Sequence, residues 1–149
     1  LFVALQGGLG VAAGTAFERF LIDTATVGVA AAAIDVVDPA AAVRAVGSRL
    51  DSGAARLNVL RGCEGTELYC LWIAAVLAFP ATAAARATAL VAGLGFAYLL
   101  NQARIIGLFY VVRDARPAFE LAHGYLAPTL LVVLLALAFW WWAGRTPTR

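Results

Sequence analysis

Apolar residues gather in four blocks along the chain, and the polar positions between them mark where each block ends. The first, Leu1 to Phe17, is a glycine-bearing stretch. The second, Leu68 to Phe79, reaches the length of a span when Glu64 to Glu67 supply its first helical turn. It stops at Pro80, whose ring cannot continue a helix. Thr88 to Val112 is the third and longest, interrupted by Asn101, Gln102 and Arg104. Ala122 to Ala143 is the fourth and cleanest, closing with "FWWWAGR", an aromatic interfacial anchor followed by a charge. About 20 residues cross the hydrocarbon core of a bilayer, so the pattern predicts about four transmembrane helices.

Residues 18–62 follow a different pattern, with five acidic and five basic side chains. The stretch "FLIDTATVGVAAAAIDVV" is helical in composition, but Asp23 and Asp35 leave too short a clean run to cross. It predicts an interfacial or re-entrant helix. "AARLNVLRGC" alternates apolar and polar positions around Leu57 and Val59, the signature of a short extended segment. The predicted fold is an all-α integral membrane protein forming a single domain over 1–149. Within it, 1–17 is the first span, 18–62 is extramembrane or interfacial, and 63–143 is a three-span core.

Composition narrows the class. Hydrophobic residues make up 63% of the 149 positions and charged residues only 13%, about half the share in soluble domains; mean hydropathy is +0.87. The 11 basic residues are all Arg and scattered, with a net charge of +2, so no basic face for nucleic acid is expected. The chain opens on Leu1 and holds no Met, which leads us to expect a longer natural N-terminus. Cys63 and Cys70 lie seven residues apart. On one helix that is about 10 Å, beyond the roughly 7 Å between Cα atoms that a disulfide tolerates. No C-x-x-C pair exists, so any thiol chemistry belongs to a single cysteine, and no metal or cofactor is expected.

Alternating spans bring the polar residues together. If the second span leaves one face of the membrane at Cys63 and reaches the other at Pro80, the third returns toward the first face. Arg104 lies 16 residues past Thr88, about 24 Å along a helix, and so approaches the face of Cys63. The polar loop "RDARPAFE" follows on that face, and the fourth span departs near His123, the only histidine. Cys63, Arg104 and His123 are thereby expected at one depth. Asn101 precedes Arg104 by three residues and shares its helix face.

These groups suit one kind of chemistry. A cysteine attacks as its thiolate, which cations and helix N-termini favour. An imidazole can take the thiol proton and return it to a leaving amine. A guanidinium can hold a developing oxyanion or a carboxylate with paired hydrogen bonds. Together they suit acyl transfer through a thioester. Each also has a plainer reading: a small buried hydrophobe for cysteine, an interfacial polar residue for histidine, and a snorkelling anchor for arginine.

"GCEG" opening a span, "FP" closing it, then "LNQARIIGLF" and "PAFELAHGYL" before the last span resemble the exosortase and archaeosortase family of membrane transpeptidases. The compact size and motif order look most like the exosortase H branch. The likeness covers roughly residues 55–142, and Glu64 stands where relatives often carry a small polar residue. It implies Cys63, Arg104 and His123 as catalytic residues; Asn101, on the helix face of Arg104, is separately a candidate substrate contact. It also implies secreted substrates with a C-terminal sorting tail, consisting of a recognition motif, a membrane helix and a basic end. The new C-terminus would pass to an unidentified acceptor.

Two other function classes compete. One is a membrane scaffold binding a partner helix through Arg104 and Asn101; the other, a thiol oxidoreductase, lacks the paired cysteines. The resemblance implies a multi-pass protein of the inner membrane with its site on the outer face. The positive-inside rule points the other way, since Arg19, Arg56, Arg61, Arg113 and Arg116 flank the spans on the Cys63 side against Arg86, Arg145 and Arg149 opposite. Our expectation follows the resemblance.

Overall fold

The computed structural model describes residues 20–147 apart from Arg61 and the side chain of Leu21. The expected first span, Leu1 to Phe17, lies outside them.

The chain enters through α1, a π-helical stretch Phe20–Gly28 running into an α-helical Val29–Val37. It occupies the stretch where the sequence predicts an interfacial helix. Its wide turns leave the Ala25 carbonyl to accept from Tyr98 Oη at 2.6 Å and Gln102 Nε2 at 3.1 Å. A 3-10 turn, Pro39–Ala41, leads to three antiparallel strands in the order β1 (Arg44–Val46), β2 (Arg49–Asp51) and β3 (Arg56–Asn58). This corrects the all-α expectation, which allowed one short extended segment. The β1–β2 turn has Gly47 at φ +56°, a conformation glycine adopts without steric cost. The pairing of Leu50 with Leu57 in adjacent strands aims both inward, and both are buried.

Three further helices follow. α2 (Thr66–Ala78) has 13 residues, α3 (Ala83–Asp114) has 32 and α4 (Arg116–Ala143) has 28. α4 comprises a 3-10 first turn, a π-helical stretch Ala122–Leu126 and an α-helical Ala127–Ala143. Two of them, α3 and α4, are long and apolar enough to cross a membrane. α2 is not. At 1.5 Å per residue it covers about 20 Å against a hydrocarbon core of about 30 Å. The expected first turn at Glu64 to Glu67 does not form, because Gly65 takes φ +89° and helix begins only at Thr66.

α3 starts five residues earlier than the apolar pattern suggests. Thr82 caps it by accepting from the Ala85 amide at 3.2 Å, so the far-side turn narrows to the residues between Ala78 and Ala83. Arg86 then reaches back, and its Nε and Nη2 donate to the Phe79 carbonyl at 3.3 and 3.0 Å. That satisfies one of the carbonyls left free at the C-terminal end of α2. The polar segment before α4 likewise contracts to Ala115 between two helices. Pro117 fits the first turn of α4, where its missing N–H costs nothing.

Two apolar clusters hold these elements. In the first, Val27, Ala30 and Ile34 of α1 meet Leu50 and Leu57 of the sheet and Ile105, Leu108 and Phe109 of α3. In the second, Leu68, Trp72 and Val76 of α2 meet Ala89 and Ala97 of α3 and Leu131 and Leu135 of α4. Trp72 fixes the α2–α3 contact by donating its indole N–H to the Ala89 carbonyl at 2.9 Å. A Cβ on Gly93 would fall 1.8 Å from the Trp72 ring, so the glycine is what admits the indole. Of the expected aromatic belt, Trp140 and Trp141 are exposed, while Trp142 packs on Phe79 and Phe139. The sheet rests on the C-terminal half of α3, over the stretch that carries Asn101 and Arg104.

Candidate active site

Cys63 sits in the "GCEG" loop, three residues ahead of α2 rather than directly before its first turn. Gly62 and Gly65 flank the Cys63–Glu64 pair at φ +88° and +89°, where a side chain would be strained. The Cys63 amide donates to the Leu60 carbonyl at 2.9 Å, closing a turn that presents the thiol. Gly65 is also held by space, because an added Cβ would stand 2.9 Å from the Asn101 Cγ. The Gly65 carbonyl accepts from the Leu68 and Tyr69 amides, so the loop passes directly into the first bonds of α2.

Two side chains, from α3 and α4, converge on the thiol. Cys63 Sγ lies 3.6 Å from His123 Nε2, within hydrogen-bonding range for sulfur, whichever nitrogen of the ring carries the proton. Arg104 Nη2 approaches the same sulfur at 4.0 Å. The three residues therefore meet from a loop and two different helices. His123 stands in the π-helical part of α4, a helix type that recurs at functional sites. Its ring stacks on Phe119 with centroids 5.3 Å apart and planes at 17°. Phe119 in turn packs against the first apolar cluster, so the imidazole is steered by a residue anchored in the core.

Asn101, a candidate substrate contact from the sequence, is engaged with the Cys63 loop. It is 1% exposed, and its Nδ2 donates to the Cys63 carbonyl at 3.1 Å. It holds the loop that presents Cys63. If Cys63 is the nucleophile of the tail-cleaving enzyme that the resemblance implies, Asn101→Ala should lower kcat by at least about tenfold while leaving KM within about twofold. The loss of the donor leaves the Cys63 carbonyl, part-buried in the loop, without its side-chain partner. A rise in KM with kcat unchanged would return Asn101 to the substrate.

Glu64 and Phe119 are neighbours of the site that sequence reasoning did not assign. Glu64 is only 7% exposed, and its Oε1 accepts from Thr66 Oγ1 at 2.9 Å. Glu64 Oε2 and Asn101 Oδ1 are buried with no hydrogen-bond partner among the described residues. These are costly atoms to bury, and both belong to residues that adjoin or bind Cys63. Phe119 did leave a signal in the sequence, because it lies four residues before His123, the spacing of side chains that meet on a helix.

Space around the site is apolar. A hollow of about 210 Å³ touches Gly62, Gly65, Glu67, Arg104 and Pro128. A second, of about 340 Å³, runs between α3 and α4 past Arg104, Gly107, Leu126 and Leu130. Arg104 thus borders both hollows, with its guanidinium at the sulfur. Cys70 is a buried free thiol on α2, outside this constellation. No group of three or more His, Cys, Asp and Glu side chains that could hold a metal ion occurs among the described residues.

Comparison of the chain with protein-family models, with curated proteins and with solved structures finds no match.

Proposed function

We propose that this protein is a membrane cysteine protease-transpeptidase of the exosortase and archaeosortase kind, acting on the C-terminal sorting tails of secreted proteins. The observation carrying the proposal is a single sulfur, Cys63 Sγ, with His123 Nε2 at 3.6 Å and Arg104 Nη2 at 4.0 Å. A thiol paired with an imidazole is the arrangement that makes a nucleophile near neutral pH.

The reaction follows from the roles. His123 accepts the thiol proton as Cys63 attacks the carbonyl carbon of the scissile peptide, forming a C–S bond. Arg104 donates hydrogen bonds to the oxygen as it gains charge. The C–N bond then breaks, and His123 returns the proton to the departing amine of the tail, leaving a thioester on Cys63. An acceptor bearing an amine or hydroxyl attacks that thioester, giving its proton to His123. The C–S bond breaks, and the proton on His123 returns to the sulfur, restoring the thiol and the neutral imidazole. The apolar surroundings strengthen these electrostatic contacts by excluding water.

In the same reading the protein is a multi-pass protein of the inner membrane with four spans, and its site faces outward. α3 and α4 supply two spans, Leu1 to Phe17 a third, and α2 with its flanking residues the fourth. The scaffold alternative would need Asn101 at a partner surface, whereas its amide is buried against Cys63.

Co-expression with a secreted protein bearing such a tail tests the activity. The mass of its C-terminus should show loss of the tail and addition of an acceptor; an intact tail beside abundant, folded enzyme would remove the proposal. Orientation is tested separately. A membrane-impermeant maleimide should label Cys63 in spheroplasts of a Cys70→Ala variant. Labelling that requires disrupted membranes would place the site inside, as the arginine distribution alone suggests.

A further inference from the structure

We infer that a polar hollow beneath the β2–β3 turn binds the phosphate of an anionic phospholipid. The hollow has a volume of about 340 Å³ and is lined by Ser52, Gly53 and Ala54 of the turn, by Arg56, and by Val112 and Arg116 where α3 passes into α4. Its lining includes two guanidiniums and no carboxylate. The inference does not depend on the cysteine chemistry.

Both arginines have hydrogen-bonding capacity to give. Arg116 forms no ion pair among the described residues. Arg56 meets Asp51 at 3.4 Å, but Arg49 shares that carboxylate at 3.3 Å, and the Arg56 side chain is 74% exposed. Arg113, the cation nearest in sequence to Arg116, is engaged with Asp38 at 2.9 Å and Asp114 at 2.8 Å. Each guanidinium offers five N–H donors in a planar fork that matches a phosphate. The two together leave the hollow with uncompensated positive charge.

Position selects a lipid over free phosphate. α3 has 32 residues, about 48 Å, against about 30 Å of hydrocarbon and 40–45 Å with both headgroup layers. Its C-terminal turns, with Val112, and the start of α4 therefore stand at headgroup level. A separate apolar groove between α3 and α4 is lined by Leu108, Val111, Leu126 and Leu130. An acyl chain leaving a phosphate on Arg56 and Arg116 would run along the exposed apolar side chains of α4, Leu121, Leu126 and Leu130 among them. A free phosphate would use only the upper hollow. An anionic headgroup also avoids placing a lipid ammonium beside the two guanidiniums.

The test uses the purified full chain in a neutral detergent, titrated with phosphatidylglycerol, phosphatidylcholine or inorganic phosphate at constant ionic strength, with the thermal midpoint as readout. Phosphatidylglycerol should raise the midpoint by several degrees. In an Arg56→Gln, Arg116→Gln double variant its apparent affinity should fall about 30-fold, at about fivefold per arginine near an anionic surface. Arg44→Gln, which removes one exposed charge outside the hollow, should leave the affinity unchanged, whereas Arg56→Gln or Arg116→Gln alone, with the same net charge, should lower it about fivefold. An equal shift from inorganic phosphate or from phosphatidylcholine would overturn the anionic-lipid assignment. A phosphatidylglycerol shift that is absent, or equal in the double variant, would overturn the site.

Discussion

Replacing Cys63 with alanine should abolish cleavage of a tailed substrate, on the order of a 10,000-fold loss or more, as expected when a covalent nucleophile is removed. Cys70→Ala should keep most of the activity. The two thiols differ in surroundings rather than in chemistry. Cys63 projects from a loop fixed by two glycines and by the Asn101 amide, with imidazole and guanidinium on its sulfur. Cys70 is buried on α2, in the same helix that gives Leu68 and Trp72 to the second apolar cluster. Cys63 itself is half-buried and free of any disulfide, so the alanine variant should reach the membrane at normal abundance. Initial cleavage rates at matched abundance provide the comparison. Undiminished cleavage by the Cys63 variant would withdraw the nucleophile assignment, and with it the proposed reaction.

The second large effect concerns the two groups that face the sulfur. His123→Ala should reduce the cleavage rate by roughly 100-fold or more, the usual scale of a lost proton-transfer group. Arg104→Lys should lose at least about tenfold even though the charge is kept. A lysine is a point donor on a flexible stem, whereas arginine offers a planar fork that can hold an oxyanion through two hydrogen bonds. A single well-placed oxyanion donor is worth on the order of 100-fold, of which lysine recovers a part. Arg104 also lies between two apolar hollows, where water cannot substitute for a donor that falls short. If the residue only anchors α3 at the membrane surface, lysine should serve equally, since both side chains snorkel. A lysine variant within twofold of the original rate would reduce Arg104 to that anchoring role.

The apolar blocks were legible because membrane helices are chosen by composition over a long window. Thr88–Val112 and Ala122–Ala143 both fall inside the observed α3 and α4. Their ends were less legible, because local chemistry decides them. Thr82 draws the start of α3 back into an alanine-rich stretch, and Pro117 is accommodated in the first turn of α4. The sheet was read as one strand because each strand is three residues long, too short for alternation to show. Gly47 before Ser48 was the overlooked hairpin signal, since glycine at the first central position suits a two-residue turn.

By itself, the sequence determined that the chain is predominantly apolar, that four apolar blocks are candidate spans, two of which form helices long enough to cross a bilayer, and that its one histidine, one intraspan arginine and a glycine-flanked cysteine could be placed at a common depth. Helical rise and the alternation of spans are enough for that, because both are properties of the backbone. Tertiary structure decided the rest. It started α2 at Thr66, since the positive φ of Gly65 interrupts the helix, and so moved Cys63 into a loop. It turned Asn101 onto the Cys63 carbonyl and buried Glu64 beside it. It set Phe119 against His123. These contacts join residues through packing between helices, and hydrogen-bond partners so distant along the chain leave no local pattern to read.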